Sequence, residues 1–284
     1  MAIARHNRGV SAAGRALLSQ VHPVFMLPPL ATSLFGALLA GNVDLPVAGL
    51  HAGAMFFAVY TAHVKDGYVD FYIRGEDDDH PLTSSACRGA LVGAAVGFAA
   101  CTVGLWLLVG PLAAAVTVPT WVVGYAHAPQ LDMHPAGATM GYPTGIALAL
   151  LGGYYAQATA FSPRVLGLAA VFLTLLTGIK IIDDEQDYDY DRGIDKRTVA
   201  VLLGPARARR AAVGLLVAAM AGIVALTVAL PTVPPTAAGA AIAFGAVTAV
   251  AHRADSELAT MLLIRGSYLF LAVLVAAVWF RPLS

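Results

Sequence analysis

From Val21 onward, apolar stretches about as long as a bilayer is thick follow one another almost without pause. They fall at roughly 21–40, 46–65, 89–109, 111–127, 139–160, 164–182, 210–230, 236–252 and 258–280. Each is close to the ~20 residues that a helix needs to cross the hydrocarbon core, and too long for a membrane strand. In lipid every backbone polar group must be paired inside its own segment, so stretches of this length dictate helices. The joins carry helix breakers: Gly41 and Asn42, Gly110 and Pro111, Ser162 and Pro163, and the PTVPP run at 231–235. The expectation is an all-α integral membrane bundle of nine transmembrane helices, forming one domain over residues 1–284.

Composition agrees. Hydrophobic residues make up 58% of the chain and charged ones 12%, against roughly 25% charged in soluble domains. Residues 1–20 are polar and basic (Arg5, Arg8, Arg15), so no cleavable leader is expected. Cys87 and Cys101 match no metal-ligand spacing and read as packing residues. With the N-terminus inside, the loop cations from Arg5 to Arg253 share that side. Only Arg164 and Arg281 fall opposite, and Arg265 lies within the last span. This bias predicts an N-in, C-out topology in the cytoplasmic membrane. A lipid bilayer is the expected surrounding, and no nucleic acid is expected as a partner.

Most of the 17 acidic residues are confined to two patches, at the cytoplasmic ends of the second and sixth expected spans. In Lys180–Gly204 (KIIDDEQDYDYDRGIDKRTVAVLLG), Asp183, Asp187 and Asp191 recur every fourth residue. On a helix each step turns only about 40°, so the three carboxylates share one face. They repel unless a cation joins them. In Lys65–Thr83 (KDGYVDFYIRGEDDDHPLT), Asp66, Asp70 and Asp77 share a face if the helix continues past Gly75. A solvated acidic loop is the plain alternative. Acids that start at a helix end, repeat at helical spacing and mix with Lys and Arg favour a site for a hard divalent cation. Mg²⁺ prefers one or two carboxylates plus substrate phosphates. Two such walls fit a diphosphate, with Lys65, Arg74, Lys180, Lys196 and Arg197 as its candidate clamp.

These two motifs resemble the UbiA superfamily of intramembrane prenyltransferases. DxxxDxxxD followed by Lys196–Gly204 (KRTVAVLLG) is similar to the family's second signature, especially in its naphthoate-prenylating branch. YVDFYIRGED, with Asp70 and Asp77, resembles that branch's first signature. Here Lys65 stands where the family usually has Asn, and His80-Pro81 where many members have Arg-Pro. After Tyr125 the family usually has Lys or Arg, whereas this loop offers Gln130, Asp132 and His134.

The resemblance implies Mg²⁺ held by Asp66, Asp70, Asp77, Asp183, Asp187 and Asp191, with Asp66, Asp70, Asp183 and Asp187 central to catalysis. It implies a polyprenyl diphosphate donor and a lipophilic acceptor, expected to be aromatic. Tyr68, Tyr72, Tyr125, Tyr142 and Tyr154 are candidates to face the allylic cation, each against the alternative of ordinary packing. Asp191 is open to a second reading, as a clamp on acceptor and Lys180. An intramembrane terpene cyclase uses the same ionisation without an acceptor and is the second enzyme reading. A cation transporter is disfavoured because its ion-binding groups belong near the midplane. Among the histidines, His22 and His51 read as packing, and His63 lies on the Asp66 side. Arg265 reads as a functional charge or as a partner of Asp255 or Glu257.

Overall fold

The computed structural model describes residues 3–6 and 8–280, and at Ser256 the backbone alone. Arg281 lies outside the described residues. Each of the nine apolar stretches is a helix. They are α2 (Pro23–Leu39), α3 (Leu45–Tyr68), α4 (Ser84–Leu108), α5 (Pro111–Ala126), α6 (Pro135–Ala158), α7 (Pro163–Gln186), α10 (Pro205–Ala229), α11 (Gly239–Ala251) and α12 (Ser256–Phe280). Three short helices complete the set: α1 (Val10–Leu18), α8 (Tyr188–Gly193) and α9 (Val199–Leu203). The one β-type contact among the described residues is an antiparallel bridge from Ala4 to Leu82.

The helix starts follow from the sequence. Proline opens α2, α5, α6, α7 and α10, where its missing N–H costs nothing. Asp44, Thr83, Ser162 and Thr198 accept from the backbone N–H of Val47, Ala86, Val165 and Val201. Gly110, at φ +131°, makes the tight join between α4 and α5.

Length and hydropathy suit membrane crossing in five helices: α3 with its continuation to Arg74, α4, α7, α10 and α12. The bent pair α1 and α2, at 67°, makes a sixth. The expected nine therefore exceeds what length and hydropathy alone support among the described residues. At 13 residues α11 is short. Many large apolar side chains point outward, among them Val96, Leu107, Val228, Ile242 and Trp279. Such a surface needs lipid or partner chains around it.

The main buried cluster joins α2, α6, α7, α10, α11 and α12 through Phe35, Leu150, Phe172, Leu216, Phe244 and Phe270. α2 packs on α6 almost backbone to backbone: a Cβ on Gly153 would collide with the Ser33 carbonyl. A second cluster (Met55, Ala58, Phe98, Ala149) holds α3 and α4 against α6. The third seats α1 on α3 and α4 through Ala12, Ala16, Val64, Leu82 and Cys87. Both cysteines are free, with Cys87 buried.

Candidate active site

The first motif departs from regular helix. α3 runs on through a π-helical turn, Val69–Arg74, and stops at Gly75 in the left-handed region (φ +66°). A residue with a Cβ is strained there, so glycine sets the stop. Asp77 therefore lies beyond the helix, contrary to the register that would place it on the Asp66 face. It reaches Asp66 and Asp70 by another route: the loop folds back, and all three line one cavity.

The second motif is interrupted once. α7 ends at Gln186 and α8 begins at Tyr188, with Asp187 between them. The Asp191 N–H still donates to the Asp187 carbonyl at 2.7 Å, which preserves the four-residue step across the break. The three acids end in different settings. Asp183 is half-buried, Asp187 exposed and Asp191 buried. Exposed as the side chain is, desolvation by the surrounding protein, and then the like charges of Asp183 and Asp191, push the Asp187 carboxyl above its ordinary value.

The cations divide unevenly. Lys180 Nζ donates to Asp183 Oδ2 at 2.8 Å and to Asp184 Oδ1 at 2.6 Å. Asp191 pairs with Lys196 (3.1 Å), not with Lys180. Arg197 is exposed and makes no ion pair with a described residue. Arg74 is held by Asp132 (2.8 Å), Asp70 (3.2 Å) and Glu76 (3.8 Å). Lys65 turns toward the α5–α6 side, donating to the Tyr125 carbonyl (2.5 Å) and Gln130 Oε1 (2.9 Å), its Nζ 4.0 Å from the Tyr125 ring centre. Arg265 is exposed and pairs with neither Asp255 nor Glu257.

The two motifs meet at one cavity. About 280 Å³ in volume, it lies among α2, α3, α5, α6 and α7, with Asp66, Lys180 and Asp183 on its wall. His63 and His127 stand with them. Apart from Thr120 and the Tyr142 hydroxyl the rest is apolar, with Phe25, Met55, Val59, Val123 and Ile146 among its residues. A second cavity of about 420 Å³ shares Phe25, His63 and Asp66 with the first and adds Asp70, Asp77 and His80. Asp187 and Asp191 line neither.

Of the candidate tyrosines, Tyr142 lines the first cavity, its hydroxyl donating to the Phe25 carbonyl at 3.2 Å. Tyr68 and Tyr72 pack on each other (5.3 Å between centres), and the Tyr72 hydroxyl donates to the Leu82 carbonyl. Tyr125 stacks on Trp121 at 5.1 Å, and Tyr154 is buried in the main core. Sequence reasoning missed Phe25 and His127 as lining residues. No spacing marks Phe25, since only the packing of α2 on α6 brings it there. His127 was legible only as part of the atypical loop after Tyr125. Burial lowers its pKa below the ordinary histidine value, which favours the neutral ring.

The donors suit a hard cation. Asp191 is buried with Lys196 3.1 Å from Oδ1 and no donor on Oδ2, and Asp184 Oδ2 and Asp132 Oδ1 are likewise without a donor. Buried acceptors left so cost free energy that a cation can recover. No group of three His, Cys, Asp or Glu among the described residues could hold a metal ion by itself. Carboxylates facing across a cavity, short of a full coordination shell, fit a Mg²⁺ that shares substrate phosphates.

No curated protein matches the sequence. Solved structures do. A UbiA homologue from Aeropyrum pernix superposes with TM-score 0.69 at 20% identity, covering 93% of this chain and 100% of that one. A digeranylgeranylglyceryl phosphate synthase gives TM-score 0.75 at 16% identity, covering 95% and 99%. An Archaeoglobus fulgidus UbiA homologue, solved with GPP and Mg²⁺, gives 0.70 at 14% identity, covering 93% and 99%. At these identities the likeness concerns the fold. The family model adds the sequence itself, matching residues 29–274. This chain belongs to the UbiA prenyltransferase family.

Proposed function

We propose that this protein is a Mg²⁺-dependent intramembrane prenyltransferase. It moves the prenyl group of a polyprenyl diphosphate onto a lipophilic, aromatic acceptor. The observation that carries the reading is that Asp66, Lys180 and Asp183, with His63 and His127, share one cavity whose remaining wall is mostly apolar. The prenyl tail lies along Met55, Val59 and Ile146, and the diphosphate sits at the carboxylate end.

Asp66 on α3 and Asp183 on α7 would hold the metal, with Asp70, Asp77, Asp187 and Asp191 as further candidate ligands. The metal, when bound, supplies the positive charge that stabilises the departing diphosphate. Lys180 and Lys196 balance the carboxylates, and Arg197 is free to reach the phosphates. The allylic C–O bond breaks with its electron pair leaving on diphosphate. The acceptor then bonds to the allylic carbon and loses a proton. The faces of Tyr142 and Phe25 shield the cation, and the apolar walls keep water from capturing it. The charge bias of the loops supports nine spans, N-in and C-out, with the site facing the cytoplasm.

The test is an assay of purified protein in lipid with labelled prenyl diphosphate, Mg²⁺ and candidate aromatic acceptors. Diphosphate release should depend on Mg²⁺ and fall in Asp66→Ala and Asp183→Ala. Undiminished release in both would overturn the reading. A cyclase reading has one observation in its favour. The loop after Tyr125 brings no free cation for an acceptor, because Gln130 holds Lys65 and Asp132 holds Arg74. Cyclic product from diphosphate alone would favour it, and a strict acceptor requirement would exclude it.

A further inference from the structure

On the other side of α7 from the donor cavity, a cleft of about 420 Å³ opens against α10, α11 and α12. Ile182 lines this cleft, while the next residue, Asp183, lines the donor cavity. The floor is apolar, formed by Val213, Leu216, Met220 and Leu263 with Ala249 and Ala259. The rim carries two cations, Arg209 and Arg253, beside His252, with no carboxylate among the lining residues. Arg253 makes no ion pair with a described residue. Arg209 reaches Glu185 only at 3.6 Å. Asp255, the nearest acid in sequence, has Oδ1 accepting from the Leu258 N–H, which caps α12.

We propose that this cleft binds an anionic phospholipid, one acyl chain lying along the α10–α12 walls and the phosphate between Arg209 and Arg253. The two parts of the cleft have the two chemistries of that molecule. An acyl chain gains by covering an apolar floor that lies within membrane-crossing helices. A guanidinium pair matches phosphate with directed N–H donors. Basic pockets between helices near a membrane surface select anionic headgroups for this reason. A zwitterionic lipid offers the same chains without net negative charge, so the rim discriminates against it. None of the donor-cavity residues lines this cleft.

The experiment uses the full chain purified in a mild detergent. Native mass spectrometry and thermal unfolding are followed as phosphatidylglycerol or phosphatidylcholine is added. Phosphatidylglycerol should bind one equivalent and raise Tm, and phosphatidylcholine should do neither. Arg209→Gln with Arg253→Gln should weaken that binding roughly thirtyfold. Ala249→Trp, which fills the cleft without changing charge, should abolish it. Arg210→Gln serves as a control, because its Nε already donates to the Ala206 carbonyl outside the cleft. Equal binding of both lipids overturns the proposal. So does phosphatidylglycerol binding that survives both the double variant and Ala249→Trp, or an equal loss in Arg210→Gln. Self-association of the chain in place of lipid uptake also overturns it.

Discussion

Arg74 Nη2 stands 2.8 Å from Asp132 Oδ2, and this ion pair ties the end of the first aspartate motif to the loop between α5 and α6. Asp132 is buried, and its other oxygen accepts no hydrogen bond. Arg74 is also within ion-pair distance of Asp70 and Glu76. It thus neutralises acids that would otherwise repel one another as α3 unwinds into its π-helical turn. The arginine acts on the shape of the motif.

Removing it should therefore cost stability before chemistry. Arg74→Gln leaves a buried carboxylate unpaired and should lower unfolding free energy by about 3–5 kcal/mol. Asp132→Asn keeps an acceptor for the guanidinium and should cost less. Denaturant or thermal unfolding in detergent checks the order. Equal effects would mean that the charge of Asp132, and not merely an acceptor oxygen at that place, holds Arg74.

Lys180 gives a second expectation. Its ammonium bridges Asp183 and Asp184, the latter almost fully buried. Lys180→Met keeps much of the stem's volume and removes the charge, so the two carboxylates repel. Without divalent metal the variant should unfold at lower temperature than the parent. Added Mg²⁺ should raise its Tm more than it raises the parent's, since the metal takes over the cation's place. An identical Mg²⁺ shift in both proteins would show that Lys180 and metal do not share these carboxylates.

The apolar part of the cavity can be probed without touching a charge. Gly145 lines it, and a Cβ built there meets nothing within 4 Å. Gly145→Leu should fill that space while favouring the helix, because glycine is about 1 kcal/mol worse than alanine in a helix interior. Tm should hold or rise. Turnover with long prenyl diphosphates should fall by about tenfold relative to short ones. Competition between donors of two lengths measures the ratio directly.

Much of this was legible in the sequence, and the exceptions share a cause. Apolar stretches bounded by Pro111, Pro163 or Pro205 fold as helices because each boundary rule is local. The meeting of Asp66 with Asp183 was legible because both leave the same ends of their spans. Lys65 and Arg74 are different. Their partners, Gln130 and Asp132, lie about sixty positions away, so no spacing shows that these cations are engaged within the protein. Asp77 joins Asp66 only through the left-handed turn at Gly75, which helical register cannot represent. Asp187 interrupts the helix in the middle of a motif that reads as one continuous face.

His127 makes pH a further probe. It lies between α5 and α6 on the donor cavity wall, and burial lowers its pKa below the ordinary value of 6.5. The unfolded chain therefore takes up a proton near pH 6.5 that the folded protein still refuses. Stability should be full above that pH and should decline as pH falls from there toward the folded-state pKa. Asp187 works with the opposite sign: its raised pKa means that the folded state accepts a proton earlier than the ordinary 3.8. That gain belongs to more acidic conditions. His127→Gln removes this one contribution, so between pH 7 and 5.5 the variant's Tm should fall less, or rise more, than the parent's. Tm measured across that range, in detergent and without Mg²⁺, decides it. A variant whose Tm falls as steeply as the parent's would place the titrating group elsewhere.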